Sequence, residues 1–399
     1  MPIRLAARMH NSAPSATAQV FSRAAELRAQ GVDLVSFAVG EPDFDTPPHI
    51  VAAGKHALDT GATRYTTVAG IAALRQAIAV DSLARRGVEH AANEVVVSTG
   101  AKQSLYNVAQ VLFDAGDEVL IPTPSWVSYP DHARLAEATP VMIPCNADAG
   151  FLLTPAALSA AITERTVAVV LCSPSNPTGA AYTRQQLSEL AEVLRKHSMW
   201  IVLDEIYGRL VYDGVEQVSL LSVAPDLRER IILVDGVSKT YAMTGFRLGW
   251  MLAPREVAKA CEAIQSQVTT SANSMAQHAA LAAITGPQDC VEQMRAVFSR
   301  RRDRAVQAIN EVPGLACTTP AGAFYVFVDV RALLGKRAGE RVVATDEDFA
   351  TWLLEEARVA LVPGTAFGAP GYVRISYATS DEEIDRGVQR IAVAVASLR

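Results

Sequence analysis

EVVVSTGAKQSLYNVAQVLF, residues 94–113, contains the unit from which most of this chain is built. A β-branched run, EVVVS (94–98), gives way at small residues to an amphipathic helical stretch ending at Phe113. Consecutive valines, not alternating with polar residues, read as a strand buried on both faces. The unit recurs. EVLIP (118–122) precedes a helical stretch from Trp126 to about Ala138, and TVAVVLC (166–172) precedes one from about Arg184 to His197. MWIVLDE (199–205), IILVDG (231–236) and LGWML (248–252) complete the set. Apolar strands separated by helices predict an α/β domain with a mostly parallel sheet covered on both faces.

Outside this region the pattern changes. Residues 17–30 read as a helix closed by Gly31, with Thr17 as its N-cap. A helical pattern from about Gln288 to Asn310 is stopped by Pro313 and Gly314. Then come a strand-like AFYVFVDV (323–330), a helix near 346–358, VALVP (359–363), YVRISYA (372–378) and a final helix from about Asp381. These sparser strands predict a second, smaller α+β unit, and a length of 399 residues favours two cores over one.

Composition excludes several classes. Half the residues are hydrophobic, and 42 acidic against 36 basic residues give a formal charge of −6. With no basic block, a nucleic-acid surface is not expected. The densest basic cluster, Arg300, Arg301, Arg302 and Arg304, reads as a solvated helix face. No apolar run approaches a membrane span, and MPIRLAARMHNSAPSAT at the N-terminus lacks an apolar signal core. Five scattered cysteines without a CxxC pair, and seven histidines without ligand spacing, predict neither a disulfide framework nor a metal site. A reducing cytoplasm fits best.

Candidate chemistry lies at the carboxyl ends of the strands, where open α/β sheets bind ligands. VSKTYAMTGFR (237–247) carries Lys239 beside Ser238 and ahead of Arg247. A lysine that condenses with an aldehyde must be partly desolvated, and serine and arginine suit a phosphate on the same ligand. Taken alone, the run reads more readily as a solvated surface lysine. STGAKQS (98–104) offers Gly100 and Ala101 at a helix N-terminus, which favours an anion, though an ordinary tight turn needs the same residues. SPSNPTG (173–179) holds Asn176, either aimed into a site or bonding its own turn. In LDEIYG (203–208), Asp204 ends an apolar strand; it either caps the next turn or meets a cation such as a protonated pyridine nitrogen, with the Tyr207 phenol nearby. PTPSWVSYP (122–130) places Trp126 to stack on a flat ring or to fill core.

In order and spacing, these motifs resemble the class I aminotransferases, the aspartate aminotransferase family of fold-type I pyridoxal 5'-phosphate enzymes. The resemblance runs from PSAT (14–17) to RISYATS (374–380), and the interval between Asp204 and Lys239 is the family's. It implies that Lys239 bonds the cofactor covalently and, once released, carries the proton between substrate and cofactor. Asp204 would pair with the ring nitrogen, Tyr207 and Asn176 with the ring oxygen, and Trp126 with the ring face. Gly100, Ala101, Ser238 and Arg247 would hold the phosphate. Arg374 would clamp the substrate α-carboxylate, with a backbone amide of Gly40, in VGEPDFDTP, beside it. Tyr65, in TRYTT, would reach the phosphate of a neighbouring subunit, so a homodimer with shared sites is implied.

The expected reaction is ping-pong transfer of an amino group between an amino acid and a 2-oxo acid. One branch of the family reads a distal carboxylate with PSAT and a lysine in the phosphate-loop motif, here Ser15, Thr17 and Lys102. That favours aspartate or glutamate, with 2-oxoglutarate or oxaloacetate as acceptor; alternatively, Lys102 supports its helix or a surface ion pair. Members that use prephenate usually carry a basic residue before PSAT, where this chain has Ser12 and Ala13, which argues against prephenate. Broader or aromatic specificity, or lyase chemistry on the same fold, are the competing readings. A regulator with this domain needs an N-terminal DNA-binding module, for which a pattern beginning at Pro14 leaves no room. The expected division is an N-terminal arm and part of a small domain over 1–48, a large cofactor-binding domain over 49–300, and a small C-terminal domain over 301–399.

Overall fold

The valines that open the sequence reading form Val95–Ser98, a strand of a seven-stranded sheet. The structure, a computed structural model, describes Arg4, Ala6, Met9 and residues 16–399. From one edge, the sheet order is Val95–Ser98, Gly249–Leu252, Ile231–Gly236, Trp200–Asp204, Thr166–Cys172, Glu118–Thr123 and Thr139–Pro144. All pairings are parallel except those of Gly249–Leu252, which runs against both its neighbours. Val95–Ser98 and Ile231–Gly236 are buried at every residue, as expected for a sheet covered on both faces.

The reversed strand is what assembles one corner of the molecule. Gly249 lies opposite Ser98 on one side and Gly236 on the other. The turn after Ser98, the turn after Gly236 and Arg247 therefore converge. A Cβ at Gly249 would stand 2.3 Å from the Ala101 backbone nitrogen, so only glycine permits this approach.

A second, antiparallel sheet joins Val362–Pro363, Tyr372–Ser376 and Tyr325–Asp329. The N-terminal strand Val35–Ser36 pairs in parallel with Val359–Ala360. Val35 and Phe37 consequently share an apolar core with residues such as Phe298, Phe324, Phe349 and Ile391. The chain then leaves this pairing and runs through Ala38 and Gly40 toward the large sheet. Among the described residues no helix is long and apolar enough to cross a membrane.

Several expectations are corrected. Thr139–Pro144 is a strand that the sequence reading omitted; it is a mostly exposed edge strand whose two prolines hide it. The helix expected from Trp126 to Ala138 is confined to Ser128–Leu135. VALVP is not one strand: Val359–Ala360 and Val362–Pro363 serve different sheets. Thr17 does not cap its helix; it lies within Ala16–Ala29. The arginine cluster is not uniformly solvated. Arg300 and Arg304 are exposed and pair with Asp381 and Asp385, whereas Arg302 is 2% exposed, pairing with Asp213 and Asp303. Arg301 is also buried, between Asp43 and Asp381.

Candidate active site

The strand ends and the incoming N-terminal segment enclose a cavity of about 410 Å3. Its walls include Gly40, Ala101, Lys102, Trp126, Asn176, Asp204, Tyr207, Ser238, Lys239, Arg247 and Arg374, together with Thr17. Residues scattered over most of the chain thus meet in one place.

The floor is electrostatically unusual. Asp204 closes its strand almost fully buried, accepting hydrogen bonds from the Tyr129 hydroxyl at 2.7 Å and the Ile206 amide at 3.2 Å. Burial pushes its carboxyl up to about 6, against the pull of those two donors. Neither donor is charged, so the carboxylate is stabilised far less than an ion pair would stabilise it. The neighbouring acids are paired: buried Arg86 bridges Glu205 at 2.8 Å and Asp235 at 3.0 Å, and Arg85 reaches Asp235 at 3.1 Å.

Lys239 is brought down to about 8 by burial; Arg247 and Arg374 act in the same direction, and Glu41 and Asp204 oppose them. Its ammonium donates to the Gly40 carbonyl at 2.6 Å, so Gly40 presents its carbonyl, not its amide, to this lysine. Near neutral pH about a tenth of such an amine is unprotonated and nucleophilic, far more than of an ordinary lysine.

Gly100, at φ 83°, sets the turn that begins the helix Ala101–Leu112, and no side chain caps that helix. A Cβ at Gly100 would stand 2.8 Å from Arg247 Nη2, so the guanidinium packs directly on the turn. Gly100 itself lies behind this guanidinium rather than in the cavity wall. Exposed Arg247, buried Ser238 and the open first-turn amides form an anion cradle.

Opposite lies Arg374, fully buried. Nη1 donates to Asn176 Oδ1 at 2.9 Å and Nη2 to the Ala38 carbonyl at 2.8 Å, while Nε is buried without a hydrogen-bond partner. The Asn176 side chain therefore engages Arg374. Tyr207 bonds the Tyr325 hydroxyl at 2.8 Å, and Tyr325 also presents its ring to Arg374 at 4.5 Å.

At the mouth, the Lys102 ammonium sits 4.8 Å from the Trp126 ring centroid, and burial and Arg247 both lower its pKa. Thr17 lines the same mouth beside Phe21. Ser15, Ser12 and Ala13 lie outside the described residues. Tyr65 does not join the cavity of its own chain; it is 89% exposed.

Some wall residues are not among the sequence-derived candidates. Tyr129 lies inside the quoted PTPSWVSYP, three residues past Trp126, in the helix Ser128–Leu135. Glu41 lies inside the quoted VGEPDFDTP, and accepts from Thr244 at 2.6 Å. Tyr325 has no local signal, since AFYVFVDV reads simply as a buried strand.

Known proteins share this architecture. The aminotransferase class I and II family matches residues 32–391. An aspartate aminotransferase of Geobacillus stearothermophilus is 44% identical over 389 residues, 98% of each chain. An aspartate/prephenate aminotransferase of Cereibacter sphaeroides is 46% identical over 387 residues, 96% of this chain and 97% of that one. Among solved structures, the aspartate aminotransferase of Rhizobium meliloti superposes with a TM-score of 0.96 at 43% identity, with full coverage of both chains. That of Thermus thermophilus with maleate gives 0.92 at 41% identity, covering 98% of this chain and 100% of that one. With this family match over residues 32–391 and these identities over nearly the full length, the chain belongs to the class I and II aminotransferases.

Proposed function

We propose that the chain transfers an amino group between aspartate or glutamate and 2-oxoglutarate or oxaloacetate, with pyridoxal 5'-phosphate as cofactor. The observation that carries this reading is the pairing of buried, cation-lacking Asp204 with a depressed Lys239 in one cavity. The residues present fit that cofactor. A protonated pyridine nitrogen is the cation Asp204 lacks, an aldehyde is the partner of Lys239, and a phosphate suits the Gly100–Ala101 turn with Ser238 and Arg247.

When bound, the cofactor supplies an electron sink for the charge left at the substrate carbon. The protein supplies the rest. Asp204 would hold the ring nitrogen, Tyr207 and Asn176 the ring oxygen, and Trp126 the ring face. Lys239 Nζ would take the proton from the substrate α-carbon and hold it for return. Arg374, with a free Nε and a guanidinium fixed by Asn176 and Ala38, orients the α-carboxylate bidentately.

For the distal carboxylate the reading assigns Lys102 with Ser15 and Thr17 (the first over Trp126, the last at the same mouth). A cation facing hydroxyls favours a dicarboxylic substrate over an aromatic one. Prephenate-directed activity ranks below this because Ala13 stands where a basic residue would be expected. The reading also takes the protein as a homodimer, with Tyr65 serving the neighbour's phosphate. It divides the chain into 1–48, 49–300 and 301–399; the core that Val35 and Phe37 share with residues 305–398 joins the first and last of these, and Ile206, Tyr207, Met294 and Phe298 of the middle segment enter the same core.

Borohydride reduction of the cofactor-loaded protein, followed by peptide mapping, tests the central assignment. The label is expected on the peptide containing Lys239; a label on any other lysine overturns it.

A further inference from the structure

Tyr325 belongs to none of the roles above, yet it touches three of the groups that fill them. It is fully buried and lines the cavity. Its hydroxyl lies 2.8 Å from that of Tyr207, its ring faces the Arg374 guanidinium at 4.5 Å, and a Cβ at Gly40 would stand 3.0 Å from its hydroxyl. Its strand partner is Ser376, two residues beyond Arg374 on the neighbouring strand. Phe324 packs on it at 4.8 Å and fixes the ring.

We infer that Tyr325 is a positioning residue that ties the carboxylate clamp to the phenol serving the cofactor ring. The inference rests on the proposed function. If Tyr207 gives its proton to the ring oxygen, its own oxygen is left to accept one, and the Tyr325 hydroxyl is the donor beside it. A phenol that accepts a hydrogen bond donates more strongly. The hydroxyl of Tyr325 thus acts through Tyr207, while its ring holds Arg374 flat for a carboxylate. Glycine at 40 leaves room for that hydroxyl.

The two halves separate by substitution. Tyr325→Phe keeps the ring and removes the donor; Tyr325→Leu removes both. The first readout is pH titration of the visible band of the lysine-bound cofactor. Asp204, Glu41, Arg247 and Arg374 are the charged groups that face Lys239, and Tyr325→Phe, which keeps the ring on Arg374, replaces none of them. Tyr325→Phe should raise the titration midpoint by about half a pH unit, the scale of one neutral hydrogen bond. The second readout is maleate binding, an unreactive dicarboxylate, followed by the same band. Tyr325→Phe should bind maleate within about twofold of wild type, whereas Tyr325→Leu should bind it about tenfold more weakly.

An unshifted midpoint in Tyr325→Phe overturns the coupling to Tyr207. Equal weakening of maleate binding in both variants overturns the assignment of the ring to Arg374. If the wild-type protein forms no visible band, the proposed function fails first, and the inference with it. Tyr325→Phe, the conservative change, decides the first question even if Tyr325→Leu does not fold.

Discussion

The floor and the mouth of the cavity are built on opposite principles. At the floor, Asp204, Tyr207, Asn176 and Arg374 are buried, and each is fixed by a hydrogen bond to another part of the protein. At the mouth, Lys102 lies across an indole and Phe21 is half exposed, with Tyr65 fully outside. The floor is pre-organised for one reaction, so that little rearrangement is needed as charge develops. The mouth is chosen by what enters and, in the proposed dimer, by a second chain. In the proposed function, chemistry and specificity therefore sit in separate layers, and substitutions should separate them too.

The largest effect is expected at the floor. Lys239→Ala should abolish the visible band of the lysine-bound cofactor and nearly all turnover, since no other amine holds that position. Absorbance and steady-state assays check both, and a normal spectrum would remove Lys239 from the role.

Next comes Asp204→Asn, for which a loss of roughly 10³-fold in kcat is expected, because a neutral amide cannot hold the ring proton. The same change has an opposite effect on the cofactor-free protein. The Asp204 carboxyl is raised from its ordinary value near 4 to about 6, so the native state binds the extra proton between those values. Stability therefore falls as pH rises through that window, and the penalty is fully present above it. Cofactor-free Asp204→Asn should be more stable than wild type at pH 7, by about 3 kcal/mol, and the gain should vanish below pH 4. Denaturant titration at both pH values measures it. A variant less stable than wild type at pH 7 would mean that the carboxylate is not strained by burial.

At the mouth the effects should be smaller and selective. Lys102→Ala should lower kcat/KM for aspartate and glutamate by roughly ten- to a hundredfold and leave phenylalanine or alanine nearly unchanged. An equal loss for all donors would tie Lys102 to the floor instead. Tyr65→Phe should cost about tenfold, the worth of one hydrogen bond to a charged group. Mixed and exchanged with Lys239→Ala chains, it should recover about a quarter of wild-type activity, because half the dimers then carry one native site. No recovery despite proven exchange would place Tyr65 in its own chain's site.

The floor was also the part most legible in the sequence. Thr166–Cys172 and Ile231–Gly236 match the expected runs residue for residue, because a doubly covered strand is marked by composition alone. Strand ends then mark the segments that carry Asp204, Asn176 and Lys239, but their roles come from the family resemblance, because each motif alone also fits an ordinary turn, cap or surface residue. Legibility stops where tertiary contacts decide. The reversed direction of Gly249–Leu252 leaves no trace in its composition, and the prolines of Thr139–Pro144 mask an edge strand. Arg302 looks like a surface residue because its burial depends on Asp213, far away in sequence. Tyr325 is hidden for the same reason: its partners Tyr207 and Arg374 come from other strands and loops.

The most direct measurement is a single half-reaction without acceptor. Cofactor-loaded protein is mixed with aspartate, glutamate or phenylalanine, and the visible band is followed together with oxo acid and ammonia. The account predicts loss of the band with aspartate and glutamate, release of one oxo acid per site and no ammonia, with phenylalanine far slower. A band unchanged by both dicarboxylic amino acids, or continuous release of ammonia and oxo acid without acceptor, would contradict it.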